Sequence, residues 1–267
     1  ARADFEKEET DLTTVGDIYR FIDGFAPFRT AMDFDNSGLL AGERETGVQT
    51  VLLSLDITPD VVKEAARLPA QLIVSHHPVI FHPLRSLRPG TAPYLLARCG
   101  IAAVCAHTNL DLAPGGVNSC LAARLGLHGL RAVHTCGGTG LAEAVAGETD
   151  RAYAPREFAE FVKRALGCDG LFYADGGRPV TRVGLCGGSG SNYVYEAAEQ
   201  GCQAFVTGEA KHHELTDAEN LGVTLVAAGH YYTEDVVIRP LLERLKKAFP
   251  GVAFRRAEAS HCPAKYL

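Results

Sequence analysis

The chain has 267 residues, with 26 Lys and Arg against 32 Asp and Glu, so its formal net charge is −6 with the histidines neutral. That balance argues against a general nucleic-acid binder, which needs a concentrated basic surface for the phosphate backbone. Hydrophobic residues make up 46% of the chain, ample material for a core. No apolar run approaches the roughly 18 to 20 residues that span a bilayer. The acidic start ARADFEKEET is the wrong flank for a signal peptide, and a cytoplasmic protein is expected. The cysteines at 99, 105, 120, 136, 168, 186, 202 and 262 form no CxxC pair and sit in apolar surroundings, which reads as reduced, structural thiols.

In chain order, Val15 to Phe25 has the spacing of an amphipathic helix, and the sequence Asp35-Asn36-Ser37-Gly38-Leu39 follows. Val51 to Asp56 reads as a strand, Val62 to Ala66 as helix and Leu72 to Val74 as a second strand. The same three pieces recur at an offset of 132 residues, as Val183 to Gly188, Val194 to Ala198 and Ala204 to Val206. After a small change of offset, Cys99 to His107 matches Leu221 to His230. His107 and Asp111 then match His230 and Glu234 at an offset of 123. Helices are expected after each, over Val117 to Leu125 with Asn118 as N-cap and over Val236 to Phe249.

The fold expected is α/β: two related lobes from an internal duplication, with sheets covered by helices and functional groups at the carboxyl ends of strands. The lobes are placed at 1–130 and 180–267. Between them, 131–179 is read as a connecting segment that joins the sheet system, with a helix over Pro155 to Leu166.

Ser75-His76-His77-Pro78 follows directly on an apolar strand. Side chains alternate faces along a strand, so both histidines reach one site only if the strand ends there or each addresses a different metal; Pro78 favours an ending. Alone, the pair reads more readily as solvated imidazoles at a strand end. In His230-Tyr231-Tyr232-Thr233-Glu234, helical i,i+4 spacing would put imidazole and carboxylate on one face. Three such clusters, two related by the repeat, point to metal. The imidazoles of His76, His77 and His230 with the carboxylates of Asp111 and Glu234 suit zinc, iron, manganese, cobalt or nickel. Five ligands exceed what one catalytic zinc usually takes from protein, and a two-metal site fits better.

SHHP at 75–78, HTNLD at 107–111, GH at 229–230 with Glu234, and DNSGL at 35–39 together resemble the GTP cyclohydrolase I type 2 homolog family, the NIF-three-like dinuclear-metal proteins. The resemblance spans nearly the whole chain. It implies a two-lobed α/β fold, two divalent metals in the cleft between lobes, and a toroidal homohexamer. The family's ligands fall on His76, His77, Asp111, His230 and Glu234. His107 is an additional candidate, as ligand or as base. The segment 131–179 is too short for the large domain some relatives insert.

Two stretches remain. The sequence Cys186 to Ser191 follows a strand and opens a helix, and reads either as an anion cradle or as a plain turn. Glu209 occupies the repeat position of His77, near the cleft, and His212 and His213 downstream read as substrate contacts or proton shuttles, or as a solvated helix start. The activity expected is metal-assisted hydrolysis. The family name adds a purine nucleotide as substrate, with attack at C8 and ring opening. The alternatives are a metal-dependent phosphoesterase and a non-enzymatic metal-binding, metal-trafficking or adaptor protein.

Overall fold

The structure, a computed structural model, describes residues 12–267; the acidic start weighed above as a leader lies outside the described residues. Helix α1 (Val15–Phe25) forms where the sequence predicts it. Its start is set by a capping box, in which the Asp17 N–H donates to Thr14 Oγ1 at 3.2 Å and the Thr14 N–H donates to Asp17 Oδ2 at 2.8 Å. There follow β1 (Gly38–Ala41), β2 (Thr50–Ser54), α2 (Pro59–Arg67), β3 (Leu72–Ser75), α3 (Ala92–Cys99), β4 (Ala102–Cys105), α4 (Thr108–Leu112) and α5 (Val117–Arg124). A hairpin of β5 (His128–Thr135) and β6 (Ala142–Tyr153) leads to the second half. This half runs α6 (Pro155–Leu166), β7 (Phe172–Ala174), β8 (Val180–Leu185), α7 (Val194–Glu199), β9 (Ala204–Thr207), α8 (His212–Leu221), β10 (Thr224–Ala227), α9 (His230–Glu234), α10 (Ile238–Ala248) and β11 (Ala253–Arg256).

The strands make two sheets, a five-stranded one in the order β1-β4-β3-β2-β11 and a six-stranded one in the order β5-β6-β8-β9-β10-β7. Strands β2, β3 and β4 run parallel, as do β8, β9 and β10. The register repeats as well: Val51 lies opposite Leu72, and Val183, at the 132-residue offset, lies opposite Ala204. An antiparallel edge strand, β1 or β7, closes each set. The repeated unit thus begins earlier in the second half than the sequence pattern indicates. Helix α6 and strand β7, inside the 131–179 segment, occupy the places of α1 and β1.

Each half ends by crossing to the other sheet. After α5 the chain enters the six-stranded sheet, where β6 pairs antiparallel with β8. After α10 it returns to the five-stranded sheet, where β11 pairs parallel with β2. Helix α10 and strand β11 therefore belong with the first sheet, although a single lobe over 180–267 was expected. The central strands are buried on both faces and read as nearly unbroken apolar runs for that reason. Leu53, Val74 and Val104 pack under α1 and α10, while Leu52, Ile73 and Ala103 pack under α2 and α3. In the second sheet Val183, Ala204 and Val226 lie under α5 and α6, and Phe205 and Leu225 under α7 and α8.

This exchange makes the sheets mutually dependent. Leu121 of α5 is fully buried against the second sheet's core. Leu121→Ala is expected to lower the unfolding free energy by about 2–5 kcal/mol, read as a shifted urea midpoint; an unchanged midpoint would show that α5 does not bind the halves together. Among the described residues, no helix is long and apolar enough to cross a membrane. All eight cysteines are free.

Candidate metal centre

The carboxyl ends of the parallel strands of both sheets face one another, and each sequence-predicted ligand sits on a loop or helix leaving one of them. Strand β3 stops at Ser75, so His76 and His77 are released from the alternation of faces, and their ring centroids lie 5.1 Å apart. His107 leaves β4 and packs edge-on at 5.2 Å from His76. From the second half, His230 opens α9 and lies 5.2 Å from His77. Asp111 and Glu234 come from the short helices α4 and α9.

The four imidazoles share one arrangement. Each turns Nδ1 outward to donate a hydrogen bond: His76 to the Ala106 carbonyl at 2.9 Å, and His77 to Asp56, His107 to Asp35 and His230 to Glu209, all at 2.7 Å. A neutral ring that donates through Nδ1 keeps Nε2 as its lone-pair nitrogen, the tautomer a metal needs, so a metal would take the place of the proton that Nε2 of His77 and of His230 shares with Glu234. His77 Nε2 lies 2.8 Å and His230 Nε2 3.0 Å from Glu234 Oε2. His76 Nε2 lies 3.5 Å from Asp111 Oδ1 and 3.7 Å from Glu234 Oε2. Potential ligand atoms fall into three groups, each spanning no more than 4.8 Å: His76 with His77 and His107, His77 with His230 and Glu234, and His76 with Asp111 and Glu234.

The donor set fits a cation on one observation above all. His76 is fully buried, and its Nε2 has no hydrogen-bond partner among the described residues. A buried polar atom left unpaired costs about 1–3 kcal/mol, which a cation held between His76, Asp111 and Glu234 would offset. The electrostatics agree. Burial alone would lower the histidines, yet Asp56 and Glu234 push His77 up to about 10, and Glu234 and Glu209 push His230 up to about 9. Burial raises Asp111 to about 6, with the Glu234 charge adding to it and His76 opposing it. For Glu234 burial is outweighed by the hydrogen bond from His230, by the charge of His76 beside it and by the hydrogen bond from His77, which hold it well below the usual carboxylate range. The pocket is strongly electronegative and favours positive charge at its centre.

Asp35, quoted from the sequence only as part of DNSGL, and Asp56 received no role there, yet each orients an imidazole of the cluster. Asp35, of the DNSGL stretch, also accepts from Thr108 N–H, Thr108 Oγ1 and Ser37 Oγ. Burial works against it, but hydrogen bonds from His107, Thr108 and Ser37 hold its carboxyl well below the ordinary range. The signal for Asp56 was its place at the end of β2, beside the strand that carries His77. Glu209 does reach the cleft, as its repeat position indicated, but its carboxylate orients His230 and accepts from Ser189 Oγ at 2.6 Å. His212 and His213 stand exposed on the first turn of α8 and join none of the ligand groups.

Two local readings change. Helix α5 starts at Val117 with Gly116 as N-cap, two residues before the expected cap Asn118. Asn118 instead bridges the halves: its Nδ2 donates to the Glu143 carbonyl and its Oδ1 accepts from Gly187 N–H, both at 2.9 Å. The turn Cys186 to Ser191 is not an open anion cradle, because Gly187, Gly188 and Gly190 donate to Asn118, Thr233 and Thr207. Gly188 has φ +59°, and an added Cβ would fall 2.2 Å from Glu234 Oε1. Gly188→Ala is therefore expected to displace Glu234 and cut metal content at least twofold while the fold persists, read by elemental analysis beside circular dichroism. Unchanged stoichiometry would count against the importance of that contact.

Known proteins resemble this chain in both sequence and fold. Residues 13–263 match the Duf34/NIF3 (NGG1p interacting factor 3) family. A Clostridium perfringens protein named GTP cyclohydrolase 1 type 2 homolog is 30% identical over 244 residues, covering 87% of this chain and 91% of its own. A Nostoc protein of the same name is 35% identical over 204 residues, covering 73% and 77%. The crystal structure of a hypothetical protein from Staphylococcus aureus superposes with a TM-score of 0.90 at 28% identity, covering 96% of this chain and all of that one. A NIF3-related Bacillus cereus protein shares the fold, with a TM-score of 0.89 at 22% identity, covering 97% of this chain and all of that one. With matching sequence over nearly its whole length and the same two-sheet fold, the chain belongs to the Duf34/NIF3 family.

Proposed function

We propose that this protein is a dinuclear metal-dependent hydrolase that opens the imidazole ring of a purine nucleotide. The observation that carries the reading is the cluster of four imidazoles, each with its Nδ1 engaged, three of which bring Nε2 within 3.7 Å of Asp111 or Glu234. His76 and Asp111 would hold one ion and His77 and His230 the other, each with Glu234, and His107 beside His76 and His77 would serve as a further ligand or as a base. Divalent ions in such a site lower the pKa of bound water towards neutrality and polarise the bond under attack. The donors are imidazole nitrogen and carboxylate oxygen, a set that suits zinc, iron, manganese, cobalt or nickel.

The chain's own residues supply position and charge. Asp35, Asp56 and Glu209 hold three imidazoles in one tautomer and one orientation, and substitutions at such supporting groups cost roughly 10–100-fold in metal affinity. The name shared by the curated relatives supports GTP as the compound to try first. One water would add at C8 of the guanine ring and open it to a formamide, and a second would hydrolyse that formamide to the free amine and formate. The family resemblance also supports a homohexamer, for which a solution mass near six chains is expected.

The test is to incubate metal-loaded protein with GTP and, separately, with a panel of phosphoesters, beside an Asp111→Ala, Glu234→Ala double variant. Formate release from GTP by the wild type alone is the expected result. Turnover of phosphoesters only would assign a phosphoesterase. Two tightly held ions with no turnover would make this a metal-binding or metal-trafficking protein.

A further inference from the structure

Beside the metal centre, on the His77 side, lies a cavity of about 460 Å³. One wall is the loop after β2, from Asp56 to Pro59, and another is His77, Pro78 and Val79. The third is the chain's own C-terminal strap, Ala259, Ser260, His261 and Pro263, which follows β11. The strap is fastened at both lobes. Glu64, buried on α2, accepts the N–H groups of Glu258 and Ala259 at 2.9 and 2.8 Å. From α9, Tyr231 donates its hydroxyl to the Ser260 carbonyl at 3.3 Å. His261 Nδ1 donates to the Ala259 carbonyl at 2.9 Å. The strap is thus a placed wall of a cavity that begins at a proposed metal ligand and its orienting carboxylate.

The lining specifies the chemistry it accepts. Among the described residues no Lys or Arg lines this cavity, and Asp56 brings a carboxylate to it. A phosphate entering here would meet the Asp56 carboxylate with no Lys or Arg of the described lining to pair with it. Ile57, Pro59, Pro78, Val79 and Pro263 present flat apolar surface, and Ser260 and His261 add hydrogen-bonding groups. Apolar walls with a few fixed polar groups are the usual make-up of a site for an uncharged ring.

We propose that this cavity is the specificity subsite for the uncharged heteroaromatic end of the substrate, and that the strap 259–263 selects that ring. A phosphorylated tail, where present, points away from it. The inference rests on the hydrolase reading for the word substrate, but its ring-binding content can be measured separately.

The experiment is calorimetry on metal-loaded protein with two probes, guanosine and inorganic phosphate. Wild type is compared with Ser260→Trp, which fills the cavity, and with His261→Trp, at an exposed strap position that spares the fold. Metal content is read for each protein. Guanosine is expected to bind wild type and to weaken at least tenfold in both variants, with metal content and phosphate binding unchanged. Guanosine binding equal in all three proteins, or absent from wild type at millimolar concentration, overturns the subsite. If guanosine binding follows the expected pattern while GTP is not turned over, the subsite stands and the hydrolase reading falls. If GTP is turned over with the same KM in all three proteins, the hydrolase reading stands and the subsite falls.

Discussion

Glu234→Gln is expected to reduce bound metal from about two ions per chain to fewer than about 0.5, whereas Asp111→Asn should leave about one. The asymmetry follows from the geometry. Glu234 Oε2 lies within 3.7 Å of Nε2 of His76, His77 and His230, so it serves both ligand groups that contain it. Asp111 belongs to a single group, with His76 and Glu234. Glutamine keeps the shape of Glu234 but removes the charge and offers one acceptor oxygen in place of two. Its amide nitrogen also turns donors towards imidazoles that need to present lone pairs. Elemental analysis after saturating exposure and gel filtration checks both variants. Two ions retained in Glu234→Gln would remove Glu234 from its place between the metals, and equal losses in the two variants would mean that the ions bind only as a pair.

Adding a divalent ion at roughly 100 times its dissociation constant should stabilise the native state by about 2.7 kcal/mol, a rise in unfolding midpoint of roughly 5–10 °C for a chain of this size. The effect is expected to be large because the ligands come from both halves. His76, His77, His107 and Asp111 leave the first sheet, and His230 and Glu234 the second. An ion shared between them would link the two sheets at the ends of β3, β4 and β10, where among the described residues no backbone pairing joins them. A chelator should reverse the shift, and Glu234→Gln should lack most of it. A shift of under about 1 °C in the wild type, at concentrations that fill the site by elemental analysis, would mean that the metal-bound and metal-free chains are equally stable and that the sheets are held by the crossing helices alone.

Much of this was legible in the residues. The 132-residue offset between Val51 and Val183 reappears as an identical strand register, because strand pairing is set by the spacing of apolar residues and the intervening helix. The ligand types at 76, 77, 107, 111, 230 and 234 stood at the ends of apolar runs, where a parallel sheet delivers its side chains to a cleft. Helices over Val15–Phe25 and Pro155–Leu166 followed from periodicity and ended where the pattern ended. Asn118 shows the limit of local signals: a good capping residue was used for a contact between halves, because α5 is capped two residues earlier, at Gly116.

By itself the sequence determined the local units, their repetition and the chemical types of the ligands, since each depends on neighbours within a turn or a strand. Only the tertiary structure decided which carboxylate orients which imidazole. Asp35 meets His107 across 72 residues, and Glu234 meets His77 across 157. It also decided that each half lends its last strand to the other's sheet, that Glu209 supports His230, and that a C-terminal strap walls the cavity beside His77. Hydrophobic period records which side of an element is buried; it carries no record of which distant element covers that side, and the site is made where two such elements meet.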